Sequence, residues 1–147
     1  MSSDEKTTSD LIEALKNGEE GFRKAAEKLA DGSRADLSAE FVTFSEQRAR
    51  FSAELAELAK SYGDDVPVRS TVPGAVHRGW MAVKDALTGD SPQAVLKAAL
   101  TGEDHAVAEY EDAVKADISD GLRAVVTRQL TEVSSTRDRV KVLAGQD

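Results

Sequence analysis

Several carboxylate and amide side chains of this sequence fall where a helix would turn them toward its apolar face. On a helical wheel of about 100° per residue, Glu103 lies near the middle of an apolar face. Gln129 lies inside a second apolar stripe, and Glu19 lies near the edge of a third. A buried carboxylate costs several kcal/mol unless it is paired, protonated or bound to a metal. These positions therefore predict either a metal centre or a polar layer inside a helical protein.

The first interpretation is a dinuclear centre that holds iron or manganese. Such centres take one Glu from each of two helices and a Glu-x-x-His pair from each of two others. Glu19 and Glu103 fit the single positions, whereas the pair positions read Gln47-x-x-Arg50 and Gln129-x-x-Glu132 and contain no His. An arginine that pointed inward would repel a metal ion. The ligands predicted by this interpretation are Glu19, Glu54, Glu103 and Glu132.

The second interpretation is a structural layer in which the same carboxylates form hydrogen bonds with amides, a tyrosine and an arginine. Such layers fix the register of packed helices without taking part in chemistry. Either Arg48 or Arg50 could supply the interior cation. The residues predicted for this layer, besides the carboxylates, are Gln47, Arg50, Tyr110 and Gln129.

Four long segments with an apolar residue every three or four positions must carry these side chains. The first helix is expected to begin near Ser9 or Asp10, after a disordered tail over residues 1–8. The second covers about 36–62, the third starts after Asp90 or Ser91 with Pro92 in its first turn, and the fourth follows Gly121. The long connection over 63–89 predicts a crossover with a short helix at about 75–87, which contains His77 and Trp80.

Residues 9–147 are therefore predicted to form one all-α domain. Its architecture is expected to be a ferritin-like, up-down four-helix bundle with the crossover between helices two and three.

The composition narrows the classes of partner. The chain has 147 residues, of which 40% are hydrophobic, and this is enough for one folded domain. Its net charge of −8 disfavours nucleic acid and anionic membranes, and the lack of cysteine excludes disulfides and thiolate ligands. With no signal peptide and no apolar run of about 20 residues, we expect a cytoplasmic protein that binds neither nucleic acid nor membrane.

Four motifs, in order along the chain, resemble those of a known family: NGEEGFRKAA at 17–26, QRARFSAEL at 47–55, GAVHRGWM at 74–81 and GEDHA at 102–106. By these motifs the chain resembles a bacterial family of ferritin-like, rubrerythrin-related four-helix bundles classed as a domain of unknown function. The resemblance implies a bundle without an established activity. It implies that an inherited metal site would lie at Glu19, Glu54, Glu103, Gln129 and Glu132. Thr136 stands where that family's last motif often has His, which disfavours a metal.

Two functions follow from these interpretations. The first is a non-enzymatic structural or stress-associated interaction protein with a polar core layer, with no catalytic residues and no certain cofactor. The alternative is a di-iron or di-manganese carboxylate protein with an oxidoreductase or metal-storage role. In either case we expect a homo-oligomer, a dimer or larger. The two differ in what Glu103→Ala removes: a metal ligand in the alternative, and only a contribution to stability in the first.

Overall fold

A computed structural model describes residues 3–32, 34–61 and 91–145 of the chain. Within these ranges the chain forms four long helices and a short 3-10 turn, with no strand. The helices are α1 (Ser3–Ala30), α2 (Ser38–Ser61), α3 (Pro92–Lys115) and α4 (Asp120–Ala144), and the 3-10 turn at Ala35–Leu37 precedes α2. The prediction of an all-α helical bundle is thereby confirmed.

The starts of α3 and α4 follow from their capping residues. The Ser91 side chain accepts a hydrogen bond from the Ala94 N–H at 3.2 Å, and Pro92 takes the first helical position, where its missing N–H is not needed. The Ser119 side chain accepts from the Leu122 N–H at 3.4 Å in the same way. The predicted start of the third helix, after Ser91, is the observed one.

The start of α1 differs from the sequence prediction. The helix begins at Ser3 and not at Ser9 or Asp10, so that residues 3–8 of the expected disordered tail are helical. Thr8 and Ser9 are buried, and the Asp4 carboxylate accepts a hydrogen bond at 2.8 Å from the backbone N–H of Ser119. This contact joins the first turn of α1 to the connection between α3 and α4, and sequence pattern cannot foresee such a distant partner.

Contacts at the helix ends fix the direction of each helix. At one end of the bundle, the Ser38 hydroxyl donates to the Ala26 carbonyl at 2.8 Å, and the Gln93 amide donates to the Ala144 carbonyl. The end of α1 and the start of α3 share the same apolar cluster there. Consequently α1 runs antiparallel to α2 and to α3, and α4 runs antiparallel to α3. The end of α2 and the start of α3 lie at opposite ends of the bundle.

That arrangement is what a long crossover between the second and third helices requires. The predicted crossover over 63–89, its short helix at about 75–87, and His77 and Trp80 lie outside the described residues. No helix within the described ranges is both long enough and apolar enough to cross a membrane.

The interior of the bundle contains two apolar clusters that follow one another along the axis. On α2 the first includes Phe41 and the second begins with Phe51, and on α3 the first ends at Ala99 and the second begins at Ala106. The first cluster also contains Phe22, whose ring meets the Phe41 ring edge to face at 5.4 Å. One group of polar residues lies on the helix turns between the two clusters, and a second group lies beside residues of the second cluster.

Candidate functional site

An ion pair between Arg48 and Glu103 lies between the two apolar clusters. The Arg48 side chain is 1% exposed and the Glu103 side chain 0%, and their Nη2 and Oε2 atoms are 2.5 Å apart. Arg48 follows Phe41 by seven positions and precedes Leu55 by seven, and both of these residues are fully buried. Because a spacing of seven returns to the same helix face, α2 directs the arginine into the core.

Side chains from all four helices surround this pair. The Arg48 Nε donates to Gln47 Oε1 at 3.2 Å, and the guanidinium carbon lies 5.3 Å from the centre of the Phe22 ring on α1. On α4, the Thr136 hydroxyl lies 3.3 Å from the same Gln47 oxygen and 3.2 Å from the carbonyl of Glu132. We call Arg48, Glu103, Gln47 and Thr136 the central layer.

Burial is the main influence on the pKa of Glu103, the carboxylate of the central layer. Removal from water raises the pKa of Glu103, and the Arg48 guanidinium opposes that shift through its charge and its hydrogen bond. Glu103 Oε2 is bound by Arg48, whereas Oε1 is buried and has no hydrogen-bond partner among the described residues. The negative charge of Glu103 is therefore stabilised by one cation, the guanidinium of Arg48.

A second group of polar residues lies farther along the axis, and we call it the tyrosine layer. The Tyr110 hydroxyl donates to Gln129 Oε1 at 2.7 Å, and the Gln129 Nε2 donates to Glu54 Oε1 at 2.8 Å. Tyr110 and Gln129 are buried, and Glu54 is half-buried. Tyr110 follows Glu103 by seven positions, which is about 10 Å along a helix.

The tyrosine layer reaches solvent at Arg128. The Arg128 guanidinium donates to Glu54 Oε2, and this bond is the main reason that the pKa of Glu54 is lowered. A second nitrogen of Arg128 lies 3.6 Å from Glu132 Oε2. Both Arg128 and Glu132 are about half exposed, so these contacts are screened by water.

The four carboxylates predicted as metal ligands are therefore in different surroundings. Glu103 is in the central layer and Glu54 is in the tyrosine layer. Glu132 is exposed, and Glu19 is half-buried, with its backbone carbonyl accepting a hydrogen bond from Ser45 at 2.8 Å. Within the ranges that the structure describes, no three His, Asp or Glu side chains form a group that could hold a metal ion.

The residues predicted for a single polar layer are divided in a similar way. Gln47 contacts the central layer, and Tyr110 and Gln129 form the tyrosine layer. The placement of Arg50 in the interior needs correction, because Arg50 is exposed and Arg48 is the buried arginine. Two positions on a helix rotate a side chain by about 200°, so only one of these arginines can face the core.

A dinuclear metal centre does not fit the central layer. The cation beside Glu103 is the guanidinium of Arg48, at hydrogen-bond distance, and a metal ion bound there would be repelled by it. The other polar or aromatic contacts there, among the described residues, are with an amide, a hydroxyl and an aromatic ring, and these are not the carboxylate and imidazole ligands that such a centre takes. The arrangement can neutralise one buried carboxylate and hold four helices in register.

Arg48, predicted only as an alternative to Arg50, and Thr136, not predicted for the layer, are both buried. The signal for Arg48 was its place at the centre of the stripe from Phe41 to Leu55, which an arginine rarely occupies unless it is paired. Thr136 follows the buried Val133 by three positions and precedes the buried Val140 by four, and this spacing also indicates the core.

A protein-family model described as Domain of unknown function (DUF2383) matches residues 5–116. The matched range contains α1, apart from its first two residues, together with α2, α3 and the Arg48–Glu103 pair, and it ends before α4. A search of curated proteins and a search of solved structures found no match.

Proposed function

We propose a function for this chain from the premise that it belongs to the DUF2383 family, a domain of unknown function. The proposed role is that of a non-enzymatic helical bundle that acts through contacts with other protein chains. Its polar interior is proposed to be structural, and its outer helix faces are proposed to be the working surfaces.

The observation that carries this proposal is the buried Arg48–Glu103 pair. A catalytic carboxylate needs access to a substrate or to a cofactor, and the Glu103 side chain has no exposure to solvent. Its charged partner is the guanidinium of Arg48, at 2.5 Å. A fixed pair of this kind favours a structural role for the layer.

The direction of the helices supports a ferritin-like connection. The antiparallel pairs α1–α2 and α3–α4, with the end of α2 opposite the start of α3, match a bundle with one long crossover. We propose this connection as the topology of the chain.

Self-association is the proposed mode of action, in a dimer or a larger assembly. The large apolar side chains most exposed among the described residues are Val42 on α2, at 44%, and Val142 on α4, at 54%. An ion pair between Glu40 and Arg139, at 2.5 Å, joins these two helices close to the valines in sequence. We propose that Val42 and Val142 lie within the contact between two chains, with the charged residues at its rim.

The competing candidate is a di-iron or di-manganese carboxylate protein. Its support is the buried Glu103 Oε1 atom, which has no hydrogen-bond partner in the described part of the chain. A metal ion would supply such a partner only if Arg48 moved away.

Sedimentation velocity and an anaerobic Fe²⁺ titration, carried out on the same purified protein, test the two candidates together. We expect a particle heavier than one chain and no stoichiometric uptake of iron. Val142→Glu should shift the particle toward a single chain, whereas Thr131→Glu, at another exposed position on α4, should not. A single-chain mass for the unmodified protein would refute the proposed assembly, and saturable binding of iron would favour the metal protein.

A further inference from the structure

Three different groups contact the guanidinium of Arg48. Glu103 Oε2 accepts a hydrogen bond from Nη2 at 2.5 Å, and Gln47 Oε1 accepts one from Nε at 3.2 Å. The Phe22 ring lies with its centre 5.3 Å from the guanidinium carbon. One charged acceptor, one neutral acceptor and one aromatic ring are the partners that suit a planar, delocalised cation.

The same three partners suit a metal ion poorly. A divalent ion with oxygen ligands needs several carboxylate or carbonyl oxygens around one point. Here Glu54 is bound by Gln129 and Arg128 in the tyrosine layer, about two helical turns from Glu103. An aromatic ring supplies no ligand atom, although it does attract a guanidinium.

We propose that the central layer is a guanidinium-recognition site, which the chain fills with its own Arg48. The site selects a planar cation with several N–H donors over a metal ion and over an ammonium group. This inference rests on the proposed function in one respect, namely that the interior holds no metal.

Chemical rescue of Arg48→Ala tests the site. The substitution removes the side chain beyond Cβ, and ethylguanidinium has the same atoms as the part removed. Because the site is enclosed, the variant is refolded in the presence of the probe at millimolar concentration, far below denaturing conditions. We expect the melting temperature of the variant to be lower than that of the unmodified protein, and to rise with probe concentration, as binding to the folded state requires.

Matched probes and variants define the specificity. Ethylammonium, Mn²⁺ and Fe²⁺ should give little or no rise in the melting temperature of Arg48→Ala. Arg128→Ala, which loses a surface guanidinium, should show no rise with ethylguanidinium. In the double variant Arg48→Ala/Glu103→Ala the rescue should be lost, because the charged acceptor is gone.

Several results would overturn the proposal. The first is that Arg48→Ala melts at the same temperature as the unmodified protein. The second is that Arg48→Ala folds but its melting temperature does not rise with ethylguanidinium. The third is that Mn²⁺ or Fe²⁺ raises the melting temperature of Arg48→Ala and ethylguanidinium does not. If Arg48→Ala does not fold alone, the refolded yield replaces the melting temperature, and an unchanged yield with ethylguanidinium counts against the site. A failure to rescue together with metal-free native protein refutes this inference alone, whereas metal in the native protein refutes the proposed function.

Discussion

Replacing Glu103 and replacing Arg48 should lower the free energy of unfolding by different amounts. In Glu103→Leu, the Arg48 guanidinium is left buried, at 1% exposure, as a charge without its carboxylate partner. Removing one partner of a buried pair typically costs about 3–5 kcal/mol, and we expect Glu103→Leu to lie in that range. Burial already raises the pKa of Glu103, so in Arg48→Met the carboxylate can take up a proton, and this limits the loss.

The pH dependence follows from that difference. In Arg48→Met the pKa of Glu103 should rise further, because the opposing charge is gone, and each unit of that rise corresponds to about 1.4 kcal/mol. The folded variant then binds a proton that the unfolded chain releases, so its deficit relative to the unmodified protein should shrink as the pH falls toward the ordinary value of 4.5. The deficit of Glu103→Leu should not shrink in this way.

Equilibrium unfolding in urea at neutral and at mildly acidic pH measures both effects. The double variant Arg48→Met/Glu103→Leu should be more stable than Glu103→Leu alone, because it leaves no buried charge unpaired. Arg128→Met is the control at a surface pair, where a loss of at most about 1 kcal/mol is expected. A loss below about 1 kcal/mol for Glu103→Leu, or strictly additive losses in the double variant, would refute this account of a mutually dependent pair.

Three further substitutions probe other contacts by thermal or urea unfolding. Arg123→Ala removes a guanidinium that donates to three backbone carbonyls, one in the last turn of α3 and two in the connection to α4, so it should cost about 1–3 kcal/mol, and a neutral effect would contradict those bonds. Tyr110→Phe leaves the buried Gln129 Oε1 without its donor and should cost about 1–2 kcal/mol, whereas equal stability would show that water takes the place of the hydroxyl. The pKa of Glu109 is raised, first by burial and then by Asp10, so its ionisation opposes folding as the pH rises above 4.5. Glu109→Gln should therefore stabilise the protein at neutral pH, by less than about 1 kcal/mol because Glu109 is only half-buried, and this gain should vanish in acid.

Local rules were sufficient to predict most of the helices. Ser91 and Pro92 mark the start of α3 by capping geometry that depends on neighbouring residues only. The predicted limits of the second helix, about 36–62, agree with a 3-10 turn from Ala35 followed by α2 to Ser61. The early first turn of α1 makes a contact between Asp4 and Ser119, which are far apart in sequence, and no local pattern encodes that contact.

The interior was harder to predict, because a wheel gives the direction of a side chain but not its height along the bundle. Glu103 and Gln129 do face inward, yet they lie in different layers, since α3 and α4 are antiparallel and their relative register is set by packing. Arg48 lies at the centre of the apolar stripe of α2, where a charged residue is unfavourable unless it has a partner, so the stripe alone does not predict that Arg48 is the buried arginine. The burial of Arg48 is compensated by Glu103, which lies on another helix.

The central claim is that Arg48, and not a metal ion, supplies the positive charge of the interior. Counting iron, manganese and zinc per chain, in protein purified from its native host without chelators and again after anaerobic loading, tests it most directly. We predict well below one ion per chain in both samples, with no change in melting temperature on loading. About two ions per chain, as a dinuclear carboxylate centre requires, and their loss in Glu103→Ala would contradict the claim.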